Sequence, residues 1–126
     1  MPFRKHPRLT EQEAQGRVIL DVAAEYLMGI YKEHTRIQAD KLIEAYIGKW
    51  LPFSGTVANI SSLSGASVVV YLRYAKCIVG AIFEGQGTDR VVTLRKFTKI
   101  GVLGKIKNVD SDEMCLEKCE LIKLDI

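Results

Sequence analysis

The chain has 126 residues, 48% of them hydrophobic, enough for one domain with a real core and too few for two ordinary ones. Its net charge of +3 resides in Arg4, Lys5 and Arg8; residues 11–126 balance fifteen basic against fifteen acidic side chains, which argues against a nonspecific polyanion binder. Three cysteines, Cys77, Cys115 and Cys119, have neither CxxC spacing nor paired histidines, so they argue against a disulfide framework and a structural zinc site and read as buried reduced thiols.

"MPFRKHPR" carries two prolines and no periodicity, so residues 1–10 read as a loose basic tail. Thr10 and Glu13 then have the spacing of a capping box, and Val18, Val22, Tyr26 and Ile30 recur every four residues. The expectation is one long amphipathic helix from about residue 11 to 32, which tolerates Gly16 and Gly29 at up to about 1 kcal/mol each. Asp21 and Glu25 interrupt the apolar run, so it is neither a membrane span nor a signal-peptide core; no membrane partner and a cytoplasmic location are expected. In "TRIQADKLIEAYIGK", Ile37, Leu42, Ile43 and Tyr46 indicate a second, shorter helix that ends at Gly48. The helices account for residues 11–47.

After Gly48 the period changes from helix to strand, and residues 48–126 read as one barrel. "KWLPFSGTVANIS" is a long first strand with Gly55 inside it, followed by the turn cluster "SSLSG". "ASVVVYLR" and "KCIVGAIF" are β-branched runs joined by a short turn near residues 74–76. "EGQGTDRVVTLRKF" breaks the pattern and can hold a short helix or turn. "TKIGVLGKIKNV" and "MCLEKCELIKL" are the last two strands, with "DSDE" as the hairpin between them. Five strands with an irregular segment between the third and fourth match the chain order of an OB-fold barrel.

The same stretch resembles the tRNA-anticodon-binding-like family of OB-fold domains. The resemblance covers about residues 35–124 and rests on Ala39, Asp40, Tyr46, Gly48 and Lys49, then Gly55, Thr56, Val57 and Ile60, and finally Cys119 and Leu121. The family's "L..GD.V.V.G" approach to strand four is present only as "LRKFTKIGVLG", without the glycine–aspartate pair. Together with the helices read above, the resemblance implies a mainly β protein, a five-stranded OB-fold barrel preceded by one long and one short helix. Barrel closure gives Gly55 a role as a bend in strand one, with similar roles open to Gly101 and Gly104. Leu116 is out of step with Cys119 and Leu121, which indicates another bulge near Glu117 or Lys118.

OB-folds that hold polymers use the outer surface of strands two and three. With Val68, Val70 and Leu72 inward, Val69, Tyr71 and Arg73 point out, so Tyr71, Arg73, Tyr74 and Lys76 are candidates for base stacking and phosphate contact. Lys99, Lys105 and Lys107 on strand four would assist. Half-buried strand tyrosines beside a solvated face would give the same pattern. A second reading is a protein-interaction or self-associating module. In it the outward, apolar Ile78 and Ile82 and the helix stripe Val18, Val22, Tyr26 and Ile30 form the interface, within one chain or in a homodimer. A third reading places a small molecule or sugar at the barrel mouth.

No catalytic signature is present. Asp110, Asp112 and Glu113 lack the other ligands and the glycine of a calcium loop, so a solvated hairpin tip is favoured. Gly85 and Gly87 are not followed by the lysine of a phosphate loop, and His6 and His34 have no evident nucleophile or acid partner. The expectation is a non-enzymatic binding module with no metal and no cofactor. Its partner is single-stranded nucleic acid or, in the second reading, itself or another protein.

Overall fold

A computed structural model describes residues 17–63, 65–85 and 87–125. Among the described residues, two helices, α1 (Ala24–Glu33) and α2 (Arg36–Glu44), precede β1 (Trp50–Ser62), β2 (Val68–Tyr74) and β3 (Cys77–Phe83). A one-turn helix, α3 (Gly87–Val91), leads into β4 (Lys99–Val109) and β5 (Glu113–Asp125). The strands close in the order β1-β2-β3-β5-β4; all pairs are antiparallel except β3 with β5. This is the five-stranded OB barrel expected from the strand pattern, with α3 in the irregular segment between β3 and β4.

Side-chain parity in β2 and β3 follows the period-two pattern except at Val69, which is expected to point out with Tyr71 yet is 5% exposed, leaning over Gly80. Val70, Leu72, Val79 and Ala81 are fully buried in one apolar cluster, while Tyr71 and Ile78 are half-buried and Arg73 is exposed. Gly55 sits where β1 changes partners: residues 50–56 pair with β4, residues 56–62 with β2, and Thr56 with both Lys99 and Arg73. A β-carbon on Gly55 would lie 2.9 Å from the Arg73 carbonyl oxygen and 2.9 Å from Phe53 Cε2, so the close approach of β1 to β2 requires glycine. The bulge follows at Ala58, which is unpaired between Val57↔Leu72 and Asn59↔Tyr71. On β5 the expected bulge is present too. Gly104 stands alone opposite Lys118 and Cys119, and Lys118 has φ +52°.

The N-terminal segment differs from its periodicity. Of the helix expected over residues 11–32, the part from Ala24 is helical and residues 17–23 are not; residues 11–16 lie outside the described residues. Early in β1 one edge is open, because β2 begins to pair only at Thr56. Residues 18–20 take that edge: the Trp50 N–H donates to the Val18 carbonyl (2.9 Å) and Leu20 N–H donates to the Trp50 carbonyl (2.8 Å). Arg17 stacks 4.1 Å from the Trp50 ring centroid and pairs with Glu120 of β5. β-Branched Val18 and Ile19 therefore satisfy a strand edge that would otherwise be unpaired, and tertiary pairing overrides a helical repeat. The tail of residues 1–10 and the Thr10–Glu13 capping box lie outside the described residues. A capping box is present at the start of α2, where Thr35 Oγ1 accepts from Gln38 N–H and Gln38 Oε1 accepts from Thr35 N–H.

α1 packs on its own barrel. Leu27 (0% exposed), Met28 and Ile30 belong to the apolar cluster that includes Leu72, Phe83 and Met114. α2 is tied to the β4–β5 hairpin, where Asp110 Oδ1 accepts from Arg36 (3.3 Å) and from Ser111 N–H (2.7 Å). Tyr31 donates to Asp40 Oδ1 (2.7 Å), and the Arg36 guanidinium lies 5.2 Å from the Tyr31 ring centroid. Burial first, and then the bond to Asp40, push the Tyr31 phenol from its ordinary value near 10 up to about 12. The folded value is raised, so this contribution to stability is present below about pH 10 and is lost as pH rises toward 12. Burial also raises Tyr46, so ultraviolet titration should show late-ionising tyrosines, and Asp40→Asn should bring the Tyr31 part of that titration down part of the way. An unchanged late titration in the variant would show that the bond contributes nothing.

Candidate functional site

The structure divides the predicted site residues into groups. Tyr71 and Arg73 share the outer face of β2, where Tyr71 is opposite Gly80 on β3 and Asn59 on β1. A β-carbon on Gly80 would meet Val69 Cγ2 at 3.4 Å and Tyr71 Cε1 at 3.5 Å, so both side chains lean over the glycine. Tyr71 is thereby held against the sheet, half-buried, with part of its ring left accessible. Ile78 and Ile82 flank it on β3.

Arg73, Thr56 and Lys99 stand side by side on β2, β1 and β4, since Thr56 is paired with both neighbours. At about 4.8 Å per strand this row spans roughly 10 Å of outer surface. Arg73 and Lys99 are exposed, and Thr56 Oγ1 donates to the Arg73 carbonyl at 3.3 Å. Tyr74 is not part of this face: it has the opposite parity to Tyr71 and lies at the barrel rim, 53% exposed, before the turn residue Ala75 with φ +54°. Lys76 is exposed in that same turn. Lys105 and Lys107 are not brought together with Tyr71 either. Lys105 is six residues along β4 from Lys99, roughly 20 Å at about 3.3 Å per residue, and is paired with Trp50 and Glu117.

The alternative set, Val18, Val22, Tyr26, Ile30, Ile78 and Ile82, does not form one helix stripe against a strand face. Val18 and Val22 precede α1, Ile30 is buried in the core and Tyr26 is exposed. Ile78 and Ile82 are half-buried and do not belong to the apolar cluster in which α1 packs.

One residue escaped the sequence reading. Phe97, in the loop between α3 and β4, is 82% exposed and has φ +72°. A residue with a β-carbon in that region costs about 1–2 kcal/mol relative to the right-handed one. The left-handed position falls at Phe97, where "L..GD.V.V.G" laid on "LRKFTKIGVLG" has its glycine. The available signal was the flanking "RKFTK", an aromatic set among cations.

Burial pushes the thiols of Cys77, Cys115 and Cys119 upward, which disfavours the thiolate form of each. Among the described residues, no helix is long and apolar enough to cross a membrane.

No family model and no curated protein matches the chain. Solved structures do. A crystal structure from Klebsiella pneumoniae subsp. pneumoniae, described as a "putative nucleic acid-binding lipoprotein", is similar with a TM-score of 0.63 at 15% identity; the match covers 92% of this chain and 100% of that one. A "putative aspartyl-tRNA synthetase" from Leishmania major Friedlin is similar with a TM-score of 0.52 at 14% identity over 95% of this chain. The match spans only 23% of the synthetase chain. At these identities the likeness is one of fold.

Proposed function

We propose that this protein is a non-enzymatic OB-fold module that binds single-stranded nucleic acid on the outer face of β1, β2 and β3. Tyr71 stacks on a base, while Arg73 and Lys99 contact phosphates. The observation that carries this reading is the make-up of the outer face: a braced, half-buried aromatic, Tyr71, lies beside half-buried, apolar Ile78 and Ile82 and next to Arg73, at one end of the row Arg73–Thr56–Lys99. Acidic Glu113 borders the far side, opposite Ile78, so the cations lie toward β1 and β4. The lipoprotein named above, similar over its whole length, supports the same class of ligand. Lys76 at the turn is close enough in sequence to extend the phosphate track.

Fluorescence anisotropy with labelled single strands at two salt concentrations tests the reading. Micromolar binding that weakens steeply with salt is expected. Tyr71→Ala should weaken it about 5- to 150-fold, the equivalent of roughly 1–3 kcal/mol of stacking. A protein that binds no single strand up to about 100 μM at low salt would sink the assignment.

A further inference from the structure

Phe97 carries an inference of its own. Its backbone is held left-handed by two hydrogen bonds to β1: Phe97 N–H donates to the Val57 carbonyl (2.7 Å), and Val57 N–H donates to the Thr98 carbonyl (2.9 Å). A glycine would meet the same backbone geometry without strain. The chain instead keeps a strained residue there and leaves its ring almost wholly in water, so burial within this fold does not offset the strain. An aromatic held this way gains free energy only when another surface covers it.

The neighbours indicate which surface. Arg95, Lys96 and Lys99 are exposed around Phe97, and no carboxylate occurs from Arg90 to Lys99. Phe97 is bonded to Val57, the residue after Thr56, which places it beside the Arg73–Thr56–Lys99 row at the side away from Tyr71's partner strand β3. We propose that Phe97 is a second stacking platform, which takes another base of the single strand that occupies Tyr71. Both rings lie on the same side of the row, Tyr71 next to Arg73 and Phe97 next to Lys99, so the strand's phosphates run along the row from one end to the other. This rests on the reading above. It adds a stacking site outside the sheet face, on the α3–β4 loop.

The test uses Phe97→Gly and Phe97→Trp in the full chain with fluorescein-labelled oligothymidylate. Phe97→Gly should leave the thermal midpoint unchanged or raise it, since strain is removed, and should weaken binding about tenfold. Phe97→Trp should keep the affinity, and its added indole fluorescence should be quenched by the oligonucleotide beyond any change seen with Trp50 alone. If Phe97→Gly binds as tightly as the parent while Tyr71→Ala is weakened, the second platform is overturned and the sheet-face site stands; the ring then serves a protein contact. A parent protein that binds no oligonucleotide overturns both assignments.

Discussion

Leu27→Ala is expected to lower the free energy of unfolding by about 2–5 kcal/mol, with a midpoint independent of protein concentration. Leu27 is fully buried on α1 and shares one apolar cluster with Leu72, Phe83 and Met114 of the barrel. Truncation removes its transfer free energy and leaves a cavity that β-strands locked in a closed barrel cannot collapse to fill. Urea denaturation at two protein concentrations checks both halves. A loss well under 1 kcal/mol would mean that the helix is not part of the barrel's core. A midpoint that rises with concentration would mean that α1 docks on a neighbouring chain, as mass action requires.

Gly104→Ala should cost about 1–3 kcal/mol, although alanine is the smallest possible addition. Its β-carbon would be placed 2.6 Å from Cys119 Sγ and 2.7 Å from Leu116 Cβ. The sulfur belongs to a short side chain and the second contact is a β-carbon, so neither can swing clear without moving β5. In the double variant with Cys119→Ala the sulfur contact disappears while Leu116 remains. Partial rescue is therefore expected, as a coupling free energy in a double-mutant cycle. Purely additive losses would show that the two residues do not meet across the bulge at Lys118.

Much of the architecture was legible because strands in a small barrel have one face in the core, which forces period two on the residues. Val68, Val70 and Leu72 against Tyr71 and Arg73 is that alternation, and Gly55 marked the bend because no other residue type tolerates the Arg73 carbonyl at such range. The first helix was only partly legible. Val18, Val22, Tyr26 and Ile30 keep a helical interval, but a spacing of four is equally compatible with an extended segment that has apolar residues on alternate positions. What decided the matter was the open edge of β1 at Trp50, thirty-two residues from Val18 in the sequence. Among the candidate site residues, Tyr71 and Arg73 could be placed on one face by parity. Tyr74 could not, because exposure at a barrel rim does not follow parity.

The amino-acid sequence by itself determined the class of fold, the order of the strands, the inward set of β2 and β3 and the positions that needed glycine, since each follows from local spacing and steric demand. Only the tertiary structure decided where the N-terminal segment goes, which lysines lie near Tyr71, and that Phe97 is displayed. Those depend on which strands become neighbours on closure. Thr56 brings Lys99 next to Arg73 through two ladders, Lys105 is carried away along β4, and Val57 bonds Phe97 into a backbone conformation that no local propensity favours.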